Sequence, residues 1–246
     1  MVKASASRDR RASASGSPER CSCVVSTPRM LPDPGPGRPG GAVSRHTGRV
    51  RLPFPPPGPG ERRILCLACF SARISEVDDA GRPAWRCADC GTLSPRRLLF
   101  DPRVRWWVDP DGEYWHETAG VVVVDPSGCC LLFERRLFPY QMTIPAGHVD
   151  VGEDPAAAAV REVAEEVGLD LPAVEHVTDA DIRGDSCRRG SDAHRWHLYQ
   201  VRVPARPRTR LGAEGLRTMW LTAEEAARVD LTVPVRRFLE GCGGWP

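Results

Sequence analysis

Lysine is almost missing from this chain: of 34 Lys+Arg, only Lys3 is a lysine. With so much Ala, Gly and Pro alongside, the arginine excess reads as compositional bias. Arginine number therefore carries no argument for phosphate or nucleic-acid binding. Net charge is small as well, at +2, which excludes a global field drawing the chain to nucleic acid or a membrane surface. No apolar run approaches the roughly eighteen residues of a membrane span. A charged segment followed by an apolar one is also lacking, so no signal peptide is expected. The Arg, Ser and Ala near the N-terminus suit a transit peptide, but the prolines and glycines that follow would break its helix. The expected location is cytoplasmic. Met30 offers a second start, which leaves translation of the first 29 residues open.

Residues 1–60 lack any periodic apolar face. They hold Ser/Ala/Arg repeats, then LPDPGPGRPGG and PFPPPGPG, and are expected to be a disordered Pro/Gly/Arg-rich tail. A chain of 246 residues holds one or two domains with a substantial core.

Cysteine is plentiful, and it divides into two groups. Cys21, Cys23, Cys129, Cys130, Cys187 and Cys242 are scattered and read as plain thiols. Cys66-Leu-Ala-Cys69 and Cys87-Ala-Asp-Cys90 instead form a CxxC…CxxC pair, the spacing of a four-thiolate zinc site. Two disulfides or a redox pair are the competing readings; the absence of an export signal and of a βαβ context tells against them. Four cysteines close the coordination shell, so the expected role is structural, with a zinc ribbon over 61–100. Asp-Ala-Gly at 79–81 marks a turn between two short strands of the ribbon.

The main domain, 101–246, opens on Thr118–Val124, a buried strand candidate. Asp125–Gly128 turns it into Cys130–Phe133 as a hairpin. A short strand over Met142–Ala146 then delivers the chain to GHVDVGEDPAAAAVREVAEEVGL, residues 147–169. Asp154 suits an N-cap, Pro155 the first helical position and Gly168 a left-handed C-terminal stop. Ala156, Val160, Val163 and Val167 form one apolar stripe, which places Glu162, Glu165 and Glu166 on the opposite side. Carboxylates crowding the end of a helix oppose its dipole, and Glu162 and Glu166 repel at i, i+4. An acidic cluster so poorly placed for stability points to a hard divalent cation with oxygen ligands.

Gly147, five residues, Glu153, seven residues, then Arg161-Glu162-Val163-Ala164-Glu165-Glu166-Val167-Gly168-Leu169 resembles the complete signature of the Nudix hydrolases, with all nine fixed positions filled. The resemblance implies an α+β fold, an α/β/α sandwich around a mixed sheet. It also implies hydrolysis of the diphosphate in a nucleoside diphosphate linked to another group, such as FAD, ADP-ribose or a nucleotide sugar. Magnesium, or manganese in its place, would neutralise the charge between carboxylates and diphosphate and activate water for attack. Glu162, Glu165 and Glu166 are the implied metal ligands, with Glu153 and Arg161 orienting them and the Ala146 carbonyl beside Gly147 completing the shell. Glu162 and Glu214 are both candidates for the general base. Arg135 and Arg136 are candidates for phosphate oxygens, with Gly147 at the substrate.

A ribbon preceding such a domain resembles the NADH pyrophosphatase branch, which also removes NAD caps from RNA, and a branch acting on FAD and ADP-ribose. The first carries a SQPWPFP-type motif that is absent between Asp170 and Pro204. NAD-cap or NADH cleavage, and a non-catalytic ligand sensor with a nucleic-acid-binding ribbon, are the alternatives. Isoprenoid diphosphate isomerases share the fold and use a further active-site cysteine, for which no cysteine here is obviously placed. The expected partner is a nucleotide-derived small molecule, without a membrane; ribbon contact with nucleic acid and a homodimer stay open.

Strands are expected over Leu171–Val177, His194–Val201 and Leu216–Leu221, with loops at 179–193 and 204–215. Thr222 and Glu225 form a capping box before a short helix, and a last helix spans Pro234–Glu240. His194 and His197 fall on opposite strand faces, which tells against joint metal ligation. Trp106, Trp107 and Trp115 are expected to pack the ribbon on the main domain, while Phe138 and Tyr140 suit either a base stack or the core.

Overall fold

The computed structural model describes residues 49–245. The ribbon comes first. β1 (Arg63–Leu65) leads to β2 (Ile74–Asp79) and β3 (Arg82–Cys87), an antiparallel hairpin turned by Ala80 and Gly81 with φ of 53° and 80°. That pair of positive φ values is what a two-residue hairpin turn needs, and Gly81 adopts it without strain. β4 (Leu93–Ser94) adds a third strand, and β5 (Leu98–Phe100) returns to pair with β1.

The main sheet is mixed. β6 (Trp106–Val108) leads into β7 (Tyr114–Val124), the longest strand, and a turn gives β8 (Cys130–Arg135). Asp125 shapes that turn, its Oδ1 accepting from the Ser127 and Cys129 amides at 2.8 and 2.9 Å. The expected strand at 142–146 is two strands, β9 (Met142–Thr143) on β8 and β10 (Ala146–His148) on β7. Pro145 lacks an N–H for the ladder, and the chain crosses there from one neighbour to the other. β7 and β8 pair directly only at Val124 and Cys130, and β9 and β10 fill the wedge between them.

After the helix α1 (Pro155–Val167) come β11 (Glu175–Arg183), β12 (Ala193–Arg202) and β13 (Gly215–Leu221). β12 lies parallel to β7, β11 pairs with β12 at the edge, and β13 pairs with β8. β11 reaches well into the stretch expected to be loop, leaving 184–192 as the turn. Its outward residues face solvent, as an edge strand permits, so polar composition hides it. α2 (Ala223–Ala226), with the expected Thr222–Glu225 capping box, and α3 (Val233–Gly241) complete the chain.

Period-two alternation on β7 builds the sandwich. Val121 and Val123 face Ala158, Ala159, Val163 and Val167 of α1; Val122 and Val124 face Leu231, Val235, Phe238 and Leu239 beside and within α3. A third cluster, with Val50, Leu65, Leu98, Phe100 and Tyr114 buried and Trp106 against them, joins ribbon to sheet. Trp107 and Trp115 serve otherwise: they stack on each other at 5.7 Å, under the guanidiniums of Arg195 and Arg183. Of the tail expected to lack structure, residues 1–48 lie outside the described residues. Residues 49–60 include Val50, which is buried and accepts from the Tyr114 amide at 2.9 Å, and Leu52, which donates to Gly112. Among the described residues no helix is long and apolar enough to cross a membrane.

Candidate active site and metal centres

Helix α1 begins and ends as its sequence dictates. Asp154 accepts from the Ala156 and Ala157 amides at 2.9 and 3.3 Å, and Gly168 takes φ 69°. Its buried face is rotated from the expected stripe, with Ala156 and Val160 only half-buried. Ala158, Ala159, Val163 and Val167 are buried, and so is Glu166, with only 7 % of its side chain exposed. Glu162 is nearly as enclosed, at 13 %. The two glutamates thus turn inward under β10 instead of facing solvent, while Glu165 is 60 % exposed.

The close approach of β10 explains Gly147. A Cβ there would lie 2.1 Å from the Glu162 carboxyl. One residue earlier, the Ala146 amide donates to Glu166 Oε2 at 2.8 Å. Arg161 ties the group together: Nε donates to Glu153 at 2.9 Å, Nη1 to Glu162 at 2.6 Å and Nη2 to the His148 carbonyl at 3.1 Å. Burial pushes the Glu162 carboxyl up despite Arg161, and pushes Glu166 well above the usual carboxylate range despite Arg135. A pair of enclosed carboxylates with too little positive charge nearby has the oxygen-rich chemistry of a divalent cation site.

These carboxylates line a cavity of about 560 Å³ that also takes in Gly147, Arg135, Arg161, Phe138 and Glu214. The loop before β13 reaches it because the Arg210 and Gly212 amides donate to the Val167 and Glu166 carbonyls, both at 2.9 Å. Those bonds satisfy carbonyls that a helix end leaves unpaired. Glu214 then meets Arg135 at 3.3 Å and Arg188 at 2.5 Å. Arg136 is exposed and is not among the cavity-lining residues. Tyr140 also lies outside the lining, under the Arg82 guanidinium of the ribbon at 4.2 Å.

Sequence reasoning missed the other wall. Asp185, Ser186, Cys187, Arg188, Arg189 and His194 line the cavity from the β11–β12 turn and the start of β12. Cysteine is therefore present in the cavity after all. Arginine bias masked Arg188 and Arg189, and Asp185 and Cys187 stand in a polar stretch without periodicity.

In the ribbon, Cys66 and Cys90 Sγ lie 3.7 Å apart and Cys69 and Cys87 Sγ 3.6 Å apart, with all four sulfurs within 4.8 Å of one another. A tetrahedron with zinc–sulfur bonds of 2.3 Å has edges of about 3.8 Å, so the thiols fit zinc without being disulfides.

A family model of the NUDIX domain matches residues 114–242, more than half of the chain. The chain belongs to the Nudix family. An RNA pyrophosphohydrolase of Pseudomonas putida is 29% identical over 130 residues, 51% of this chain and 72% of the relative. A Mycobacterium tuberculosis protein provisionally assigned as 8-oxo-dGTP diphosphatase 2 is 34% identical over 120 residues, 46% of this chain and 76% of that one. Among solved structures, the MutT protein from Methanosarcina mazei has a TM-score of 0.45 at 18% identity, covering 52% of this chain and 93% of its own. This Nudix chain is a pyrophosphohydrolase by family, and its Glu162–Glu166 pair lies within the matched span.

Proposed function

We propose that this protein is a magnesium-dependent pyrophosphohydrolase acting on a nucleoside diphosphate linked to another moiety. The observation that carries the reading is the pair of enclosed carboxylates, Glu162 and Glu166, held under Gly147 at the wall of a cavity large enough for such a ligand. Its curated relatives are named an RNA pyrophosphohydrolase and an 8-oxo-dGTP diphosphatase, which supports a diphosphate borne by a nucleotide.

Glu162, Glu165 and Glu166 would hold the cation. Magnesium supplies the positive charge that lets a diphosphate approach three glutamates, together with Lewis acidity at phosphorus. Arg161 fixes Glu153 and Glu162 in place through the bonds described above. Arg135 and Arg188 both grip Glu214, and an entering diphosphate presents the same anionic oxygens to those guanidiniums. Its binding releases Glu214 beside the reacting centre, where Glu214 is a candidate general base, as is Glu162. The domain limits are read as a ribbon over 61–100 and the hydrolase domain over 101–246.

The test is hydrolysis with magnesium across NADH, FAD, ADP-ribose, nucleotide sugars, dinucleoside polyphosphates and nucleoside triphosphates, read as phosphate after a coupled phosphatase. Turnover of one class, abolished by Glu166→Gln with the circular dichroism unchanged, is the expected result. Full activity in Glu166→Gln would overturn the carboxylate assignment. Silence across the panel with magnesium binding intact would instead favour a ligand sensor.

A further inference from the structure

A second cluster of metal-ligating side chains, distinct from the carboxylates, borders the same cavity, which His148, Cys187 and His194 line. His116, His148, Cys187 and His194 each present one donor atom, and the four atoms lie within 4.8 Å of one another. His116 and His194 are buried. The topology, not the local sequence, assembles them. His116 and His194 face each other across the parallel β7–β12 pair. His148 arrives on the opposite edge of β7 through β10, and Cys187 from the turn between β11 and β12.

The separations match a metal shell. His116 Nδ1 lies 3.0 Å from His148 Nε2 and 3.6 Å from Cys187 Sγ. Tetrahedral zinc, with bonds near 2.05 Å to nitrogen and 2.3 Å to sulfur, sets those edges at about 3.3 and 3.6 Å. The Asp185 carboxylate sits 3.1 Å from His194 Nδ1, within ion-pair distance but outside hydrogen-bond geometry. Trp196 Nε1 fixes that carboxylate in turn at 2.8 Å.

We propose that His116, His148, Cys187 and His194 form a second transition-metal site, of zinc type, separate from both the ribbon and the glutamates. One thiolate and three imidazoles suit zinc, whereas magnesium takes oxygen. Neutral imidazole and thiolate are the forms that ligate, so binding of the ion would release protons. Four protein ligands close the shell, so the ion would be structural, locking the turn that carries Asp185, Ser186 and Arg188 onto the strand that carries Gly147.

Metal content of tag-free, full-length protein decides this without any assay of hydrolysis, so it stands or falls apart from the proposed activity. About two zinc ions per chain are expected by elemental analysis, falling to about one in Cys187→Ala and to about one in the ribbon variant Cys69→Ser/Cys90→Ser. A wild-type content of one zinc, unchanged in Cys187→Ala, overturns the site. Should Cys187→Ala fail to fold, the ribbon variant loaded with cobalt(II) gives the answer. A tetrahedral ligand-field spectrum with a single weak thiolate charge-transfer band supports the site, and no tetrahedral cobalt signal refutes it.

Discussion

Gly147 is the residue on which the carboxylate site turns, because no side chain fits between β10 and Glu162. Gly147→Ala forces the Glu162 carboxyl away from a contact of 2.1 Å, and displacement of about 1 Å at a reacting centre costs on the order of a hundredfold in rate. We expect kcat/KM to fall by that order with the thermal transition shifted little; an unchanged rate would show that Glu162 need not stand there. Glu166 makes the opposite trade. Its carboxyl is raised well above the usual range because burial outweighs Arg135. A group raised in the native state costs nothing below the usual carboxylate range, where both states are protonated, and its penalty grows as pH climbs through the raised native value. Glu166→Gln removes that penalty and keeps an oxygen for the Ala146 amide. In the absence of divalent metal at neutral pH it should stabilise the protein by roughly 1 kcal/mol, a few degrees in Tm, with the gain vanishing in acid. Calorimetry with and without magnesium checks both halves.

The turn between β11 and β12 is the element that links the ribbon's exit to the cavity. Arg96 donates to the Cys187 and Ser191 carbonyls at 3.0 and 3.1 Å and to Asp192 at 2.6 Å, where Asp192 is only 1 % exposed. The Arg97 and Leu99 amides add bonds to the Arg188 and Arg189 carbonyls. Truncating Arg96→Ala strands a buried carboxylate, so we expect a loss of about 3 kcal/mol in urea unfolding. Arg96→Ala with Asp192→Asn should recover much of it, since no charge is then left unpaired; simple additivity of the two would refute the coupling. This element was also the least legible in the sequence. Helix α1 was readable because its cap, stop and carboxylates are all local, although its buried face is rotated away from Ala156 and Val160 to take in Glu166. By contrast β11 reads as loop because its outward residues are polar, and the strand at 142–148 reads as one because the crossing at Pro145 depends on two neighbours. The His116, His148, Cys187 and His194 cluster leaves no local trace at all. Period two does separate His194 from His197, which meets Glu117 and Asp179 on the other face, but nothing near His194 announces His116.

At the scale of the whole molecule, the question is how far the ribbon and the sheet stand or fall together. The thiols sit at 66–69 and 87–90, but the apolar anchor lies outside them: Leu65 and Leu98 bracket the ribbon and are buried with Phe100 and Tyr114. Zinc proposed on the four thiols would then be required for the hairpin of β2 and β3, whose exposed faces bury little, and not for β7. A thiol-competing chelator should therefore speed amide exchange across 74–87 while Val121–Val124, buried on both faces, stay protected. Magnesium added back should restore any hydrolysis lost to the chelator's capture of magnesium, and zinc alone should restore protection of the hairpin, because carboxylate oxygen and thiolate sulfur select different ions. One cooperative transition that exposes β7 and the ribbon together on chelation would mean that the shared apolar cluster, not the metal, decides where this chain divides.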